Sequence, residues 1–133
     1  MSDSREAEVL RANASFYDAF RAGDFEALDA AWARNLPVAC IHPGWQILRG
    51  RELVMQSWRS ILFGGNRPDI HCDDTHCHLL GDFAFVTCLE RIGEGALTAT
   101  NVFAREDSAW RLVHHQAGPL SQVPNDQPSG PLN

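Results

Sequence analysis

Four long strand candidates joined by short turns fill residues 69–117, and they limit the possible folds more than any other feature. They cover roughly 69–80, 83–91, 96–105 and 110–117. Gly81-Asp82 and Asp107-Ser108 read as two-residue hairpin turns, and 92–95 as a longer loop. Strands joined this tightly pair antiparallel as a meander. Strands of such length cannot stay flat, so the expected sheet is strongly twisted and curved.

Helical patterns precede this run. In 4–22, Val9, Ala12, Phe16, Ala19 and Phe20 recur every three or four residues and share one face. Gly23 suits the C-terminal cap of that helix, and Asp24 the N-cap of a second helix over 25–33. Pro37 closes the pair. A short buried strand follows at 38–42, and Pro43-Gly44 breaks it. Residues 45–48 read as a small hairpin arm. A third helix over 52–63 carries Leu53, Val54, Ser57, Trp58, Ile61 and Leu62, and Gly64-Gly65 stops it. Helices first and long strands after them indicate an α+β fold. No internal repeat is present.

The turns set a provisional register. Val86 faces Asn101, Cys88 faces Ala99, Glu90 faces Leu97, Phe103 faces Leu112, and Asn101 faces His114. Alternation then gives one face Val86, Cys88, Glu90, Leu97, Ala99, Asn101, Phe103, Leu112, His114 and Gln116. The opposite face carries Phe85, Thr87, Leu89, Thr98, Thr100, Val102, Arg111, Val113 and His115. The first face is apolar apart from Glu90, Asn101, His114 and Gln116. A few polar groups converging in an apolar hollow describe a ligand pocket. The second face can bury against a second subunit, so a homodimer through the sheet is expected.

Composition narrows the function classes. The chain has 133 residues and is 44% hydrophobic, enough for one domain with a real core. That domain is expected over 1–117, with an irregular tail over 118–133 rich in Pro, Ser, Gly, Asn and Gln. The formal net charge of -6 repels phosphate backbones, so neither nucleic acid nor an anionic membrane is an expected partner. No apolar run is long enough to span a membrane, and the polar start lacks the pattern of a secretory signal. A cytoplasmic protein is expected. Cys40, Cys72, Cys77 and Cys88 then read as buried free thiols. His71, Cys72, His76, Cys77 and His78 resemble metal ligands. Alternation along one strand, however, sends Cys72, His76 and His78 to one face and His71 and Cys77 to the other. One strand cannot bring such a set together as a tetrahedron, so no metal is expected. Gly-rich phosphate loops, nucleophile elbows and His-Glu-x-x-His helices are absent from the sequence.

Several segments together resemble the SnoaL-like branch of the NTF2-like superfamily. They are Phe16-Tyr17-Asp18-Ala19-Phe20, Ala22-Gly23-Asp24-Phe25, His42-Pro43-Gly44-Trp45, Gly50, Trp58, Thr100-Asn101-Val102-Phe103, and Trp110-Arg111-Leu112-Val113-His114-His115. The resemblance covers roughly 8–117 and implies a cone-shaped, cystatin-like α+β barrel with a pocket at its mouth, commonly a homodimer. It implies no single activity, because that superfamily holds isomerases, cyclases, dehydratases, hydrolases, transport factors and association domains. His42 occupies the place where ketosteroid isomerases carry an aspartate base before a proline. Phe16 occupies the place of their oxyanion tyrosine, with Tyr17 beside it. These departures point away from steroid isomerase chemistry as such.

The candidate proton-transfer groups are His42 and His114. Histidine can serve as a base because its ordinary pKa is about 6.5. Glu90, Asn101 and Gln116 are candidates for orienting a ligand, and Tyr17, Trp45, Trp58 and Phe103 for its walls. Trp32 and Trp110 read as structural. The expected function is a small-molecule pocket protein. As an enzyme it would be cofactor-free and use acid/base chemistry of the isomerase, dehydratase or cyclase type on a small apolar carbonyl compound. The alternative is a non-catalytic ligand-binding or dimerisation module whose buried polar groups satisfy one another.

Overall fold

A computed structural model describes residues 4–121. The first helix, α1, spans Ser4–Ala22 and buries Val9, Asn13, Phe16, Tyr17, Ala19 and Phe20 along one stripe. It ends at Gly23, whose φ of 68° is the left-handed conformation that a Cβ disfavours. Asp24 caps α2, Phe25–Ala30, by accepting a hydrogen bond from the Ala27 amide. This helix is shorter than its pattern predicts, because residues 31–33 leave it to pair with the sheet. The Leu112 amide donates to the Ala31 carbonyl and the Ala33 amide to the Leu112 carbonyl.

Strands β1, Ala39–Ile41, and β2, Leu48–Arg49, follow, and then α3, Arg51–Phe63. The meander consists of β3, His71–Leu80; β4, Phe83–Ile92; β5, Gly95–Glu106; and β6, Ala109–Pro119. The six strands form one sheet in the order β2-β1-β6-β5-β4-β3. Neighbours in the meander are antiparallel, whereas β1 joins β6 in parallel. The last strand reaches Pro119, past the boundary at 117 expected from composition. The rest of the expected tail, 122–133, lies outside the described residues.

The β4–β5 register is the expected one, with Val86 opposite Asn101 and Glu90 opposite Leu97. Asp107 and Ser108 both have positive φ, 55° and 69°, which matches the twist of a two-residue hairpin. Two bulges depart from the regular ladder. In β6, Val102 pairs with His114 but Phe103 with Leu112, so Val113 is an extra residue. In β3 the register shifts between Asp73 and His76, where Asp74 has a φ of 55°.

The helices cover the concave face. Trp32, Phe16, Phe103, Leu28 and Leu112 are wholly enclosed there. Aromatic edges meet at the centre: the Trp58 ring stands edge-on to Phe16 and Phe20, with centroids 5.5 and 6.0 Å apart. Arg51 ties the helices together by donating to the carbonyls of Asp29, Trp32 and Ala33. No helix among the described residues is long and apolar enough to cross a membrane.

Candidate functional site

Between α1, α3 and the concave sheet lies a cavity of about 340 Å³. Its walls are Phe16, Phe20, Trp58, Ile61, Ile70, Ile92 and Leu97. Tyr17, His42, Glu90 and His115 supply its polar groups, and Pro43 and the half-exposed Trp45 stand at its mouth.

His42 follows β1 and reaches α3. The Ser57 hydroxyl donates to the Val54 carbonyl at 2.7 Å, which uses its single proton. The 2.9 Å contact between Ser57 Oγ and His42 Nε2 is therefore donated by the imidazole. Its Nδ1 is left unprotonated, with an acceptor lone pair. Burial lowers the pKa of His42 to about 4, so the ring is neutral at pH 7. The edges of Trp58 and Trp45 hold it, with centroids 4.6 and 4.8 Å away.

A second network runs through the interior. The Asn101 amide donates to Asn13 Oδ1 at 2.8 Å and to the Tyr17 hydroxyl at 3.0 Å. Tyr17 in turn donates to Glu90 Oε2 at 2.7 Å. With both protons of its amide nitrogen committed, Asn101 can only accept through Oδ1. His115 Nδ1, 2.5 Å away, must donate. His115 Nε2 is then an unprotonated acceptor, 3.8 Å from Glu90 Oε2. Burial, reinforced by His42 and His114, lowers the pKa of His115 to about 3. Burial also raises that of Glu90, against the opposing hydrogen bond from Tyr17. Both shifts favour a neutral imidazole beside a protonated carboxyl group. Tyr17 is likewise held in its neutral form, first by burial and then by Glu90.

The bulge at Val113 corrects two expected site residues. Beyond it the faces of β6 exchange, so His115 and Ala117 are buried on the concave side. His114 lies on the outer side, beside Val38, Arg49 and Val113 in a separate shallow cleft, and Gln116 is exposed. Neither lines the cavity. Phe103 is enclosed in the core rather than in the cavity wall, and Asn101 acts on the cavity through its neighbours. Tyr17, His42, Trp45, Trp58 and Glu90 all line the cavity.

Residues missed in the sequence were His115, Asn13 and Ser57. Asn13 and Ser57 carried a signal, since each interrupts the apolar stripe of its helix. For His115 the sequence held none, because an adjacent His114 competes for the same place.

The second bulge changes the metal question too. Cys72 and Cys77 both turn toward the helices, whereas His71, His76 and His78 are exposed. Among the described residues, no three His, Cys, Asp or Glu side chains converge as metal ligands. All four cysteines are free, but only Cys40 and Cys88 are fully buried.

The SnoaL-like domain family matches residues 9–121. A proposed dehydratase of the NTF2-like family from Streptomyces avermitilis is 34% identical, with a TM-score of 0.82 over 90% of this chain and 99% of that one. A proposed calcium/calmodulin-dependent protein kinase type II association domain from Thiobacillus denitrificans is 36% identical, with a TM-score of 0.71 over 83% and 93%. The F-box protein SKIP8 of Arabidopsis thaliana is 26% identical over 82% of this chain, which spans 48% of that relative's length.

Proposed function

The chain belongs to the SnoaL-like domain family, and from that premise we propose a cofactor-free acid/base enzyme of the dehydratase or isomerase type. Its substrate is a small, largely apolar carbonyl compound. The observation that carries this reading is that a neutral His42 with Nδ1 unprotonated, and a Glu90 carboxyl biased toward its acid form, line the same apolar cavity. Groups whose surroundings push them toward opposite roles are how a site divides acid from base work. The Streptomyces avermitilis neighbour, a proposed dehydratase, supports the same class.

For a β-hydroxy ketone the step is an elimination. His42 Nδ1 takes the proton from the carbon beside the carbonyl. Glu90 gives its proton to the departing hydroxyl, and water and an enone form. The charge left on Glu90 is met by the Tyr17 hydroxyl, already 2.7 Å away. The imidazolium is met by Ser57 Oγ. A proton returns from His42 to Glu90 through water, which resets the site. The sequence contains no lysine, so the carbonyl is not activated as a lysine Schiff base.

Cyclic β-hydroxy ketones incubated in deuterated water test this by NMR. Wild type is expected to exchange the acidic carbon-bound proton and release water. Glu90→Gln should lower kcat by roughly a hundredfold to ten-thousandfold with little change in KM, as expected on losing a general acid. Neither exchange nor elimination by wild type, or full turnover by Glu90→Gln, rejects the reading.

A second reading, self-association, is favoured by the outer sheet face. Leu80 and Phe83 are more than half exposed at the β3–β4 turn, and Phe85, Thr87 and Val102 are only partly covered. We propose a homodimer through this face, compatible with catalysis. The Thiobacillus denitrificans neighbour, a proposed association domain, supports it. A monomeric wild type in light scattering at micromolar concentration rejects it.

A further inference from the structure

We propose that the cavity selects an uncharged ligand and holds one of its hydroxyl groups between His115 Nε2 and the Glu90 carboxyl. This deepens the catalytic reading by naming a substrate class, and it rests on that reading only for the identity of the cavity.

No arginine lines the cavity, and the chain has no lysine. Arg67, below α3, spends its guanidinium on the carbonyls of Leu62 and Arg21. An anionic ligand would lose its hydration there and meet no opposite charge. The ionisable groups that do line the cavity are Tyr17, His42, Glu90 and His115, and each is driven toward its neutral form chiefly by burial. A cation would find only a carboxyl group that its surroundings bias toward the acid.

His115 Nε2 and Glu90 Oε2 stand 3.8 Å apart, too far for a hydrogen bond between them. One oxygen at about 2.8 Å from each fits that separation. Because Asn101 holds the proton of His115 on Nδ1, Nε2 only accepts. Glu90 Oε2 accepts from Tyr17, and a carboxylic hydroxyl oxygen can accept one such bond while carrying the acid proton, so the proton on Oε2 is the one to be given to the bridging group. The bridging group must therefore donate one hydrogen bond and accept another. A hydroxyl does both. An ether or ketone oxygen cannot donate, a carboxylate cannot donate and is charged, and an ammonium cannot accept. Water has the same two capacities, so a ligand hydroxyl must compete with water for this place. The carbon frame lies against Phe16, Trp58, Ile70 and Leu97.

The test compares binding of indanol, methoxyindane and indanecarboxylate to the wild-type protein, read by quenching of cavity tryptophan fluorescence. Indanol is expected to bind roughly tenfold more tightly than methoxyindane, one hydrogen bond's worth, and indanecarboxylate more weakly still. The nitrogen-15 resonance of His115 Nε2 should move on adding indanol and not on adding methoxyindane. Glu90→Gln should keep the preference, because its amide can donate in place of the acid. His115→Phe should lose it. Equal binding of alcohol and ether, preference for the carboxylate, or no binding of any of the three overturns the proposal. If the binding order holds while wild type turns over no hydroxy ketone, the catalytic reading falls and this one stands.

Discussion

Replacing His42 by glutamine should flatten the acid limb of the stability curve. His42 and His115 are both 3% exposed, and burial lowers their pKa values to about 4 and about 3, from an ordinary 6.5. Lowered values mean that the unfolded chain binds protons more readily than the folded one. The stability from each group is present above pH 6.5 and is lost as the pH falls through the folded pKa. A pH of 5 lies 1.5 units below 6.5, and both groups are still neutral in the folded protein there. At 1.36 kcal/mol per unit, each costs about 2 kcal/mol relative to pH 8. Glu90, shifted upward, opposes this, so the whole-protein slope alone does not isolate the histidines. The difference between wild type and His42→Gln does, because other groups are common to both and glutamine can still donate to Ser57. Urea unfolding at pH 8 and pH 5 measures it. The variant should lose about 2 kcal/mol less than wild type over that range, and somewhat less again because His42 itself depresses His115. Curves that run parallel within ~0.5 kcal/mol would show that His42 is not buried neutral, and the reasoning fails.

Three further outcomes follow from named contacts. His114→Ala should change stability by less than ~0.5 kcal/mol and leave ligand affinity intact, whereas His115→Ala should cost ~2 kcal/mol or more, since it orphans Asn101 Oδ1 in the core; urea unfolding of the pair separates them. Asn101→Ala removes partners from Asn13, Tyr17 and His115 at once, and should cost about 3 kcal/mol or more by the same measurement. Gly23→Ala places a Cβ at a φ of 68°, 2.6 Å from Arg67 Nη1. The side chain can move away but the backbone strain stays, so a loss of about 1–2 kcal/mol is expected in thermal unfolding.

What could be read from the sequence was whatever depends on local chemistry. The Val9-to-Phe20 stripe and the Gly23-Asp24 caps fix the first helices through spacing and capping. The turns at Gly81-Asp82 and Asp107-Ser108 set where the outer strands of the meander reverse, and the connection at 92–95 puts Glu90 opposite Leu97 and Val86 opposite Asn101. The family followed from the same pieces. The outcome at the far end of β6 was decided elsewhere. Inserting Val113 as an extra residue costs a strand little, yet it moves His115 inward and His114 outward. The residues at 31–33 pair with Leu112 beside that bulge, and Asn101 and Phe16 receive the imidazole of His115. These contacts lie 14 to 99 residues from His115 along the chain. Two adjacent histidines look alike to any local rule, and period-two alternation carries no information about where it breaks. The sequence by itself determined which elements form and most of their order. Only tertiary packing chose which histidine meets Glu90, because that choice is settled by distant partners competing to satisfy a buried polar group.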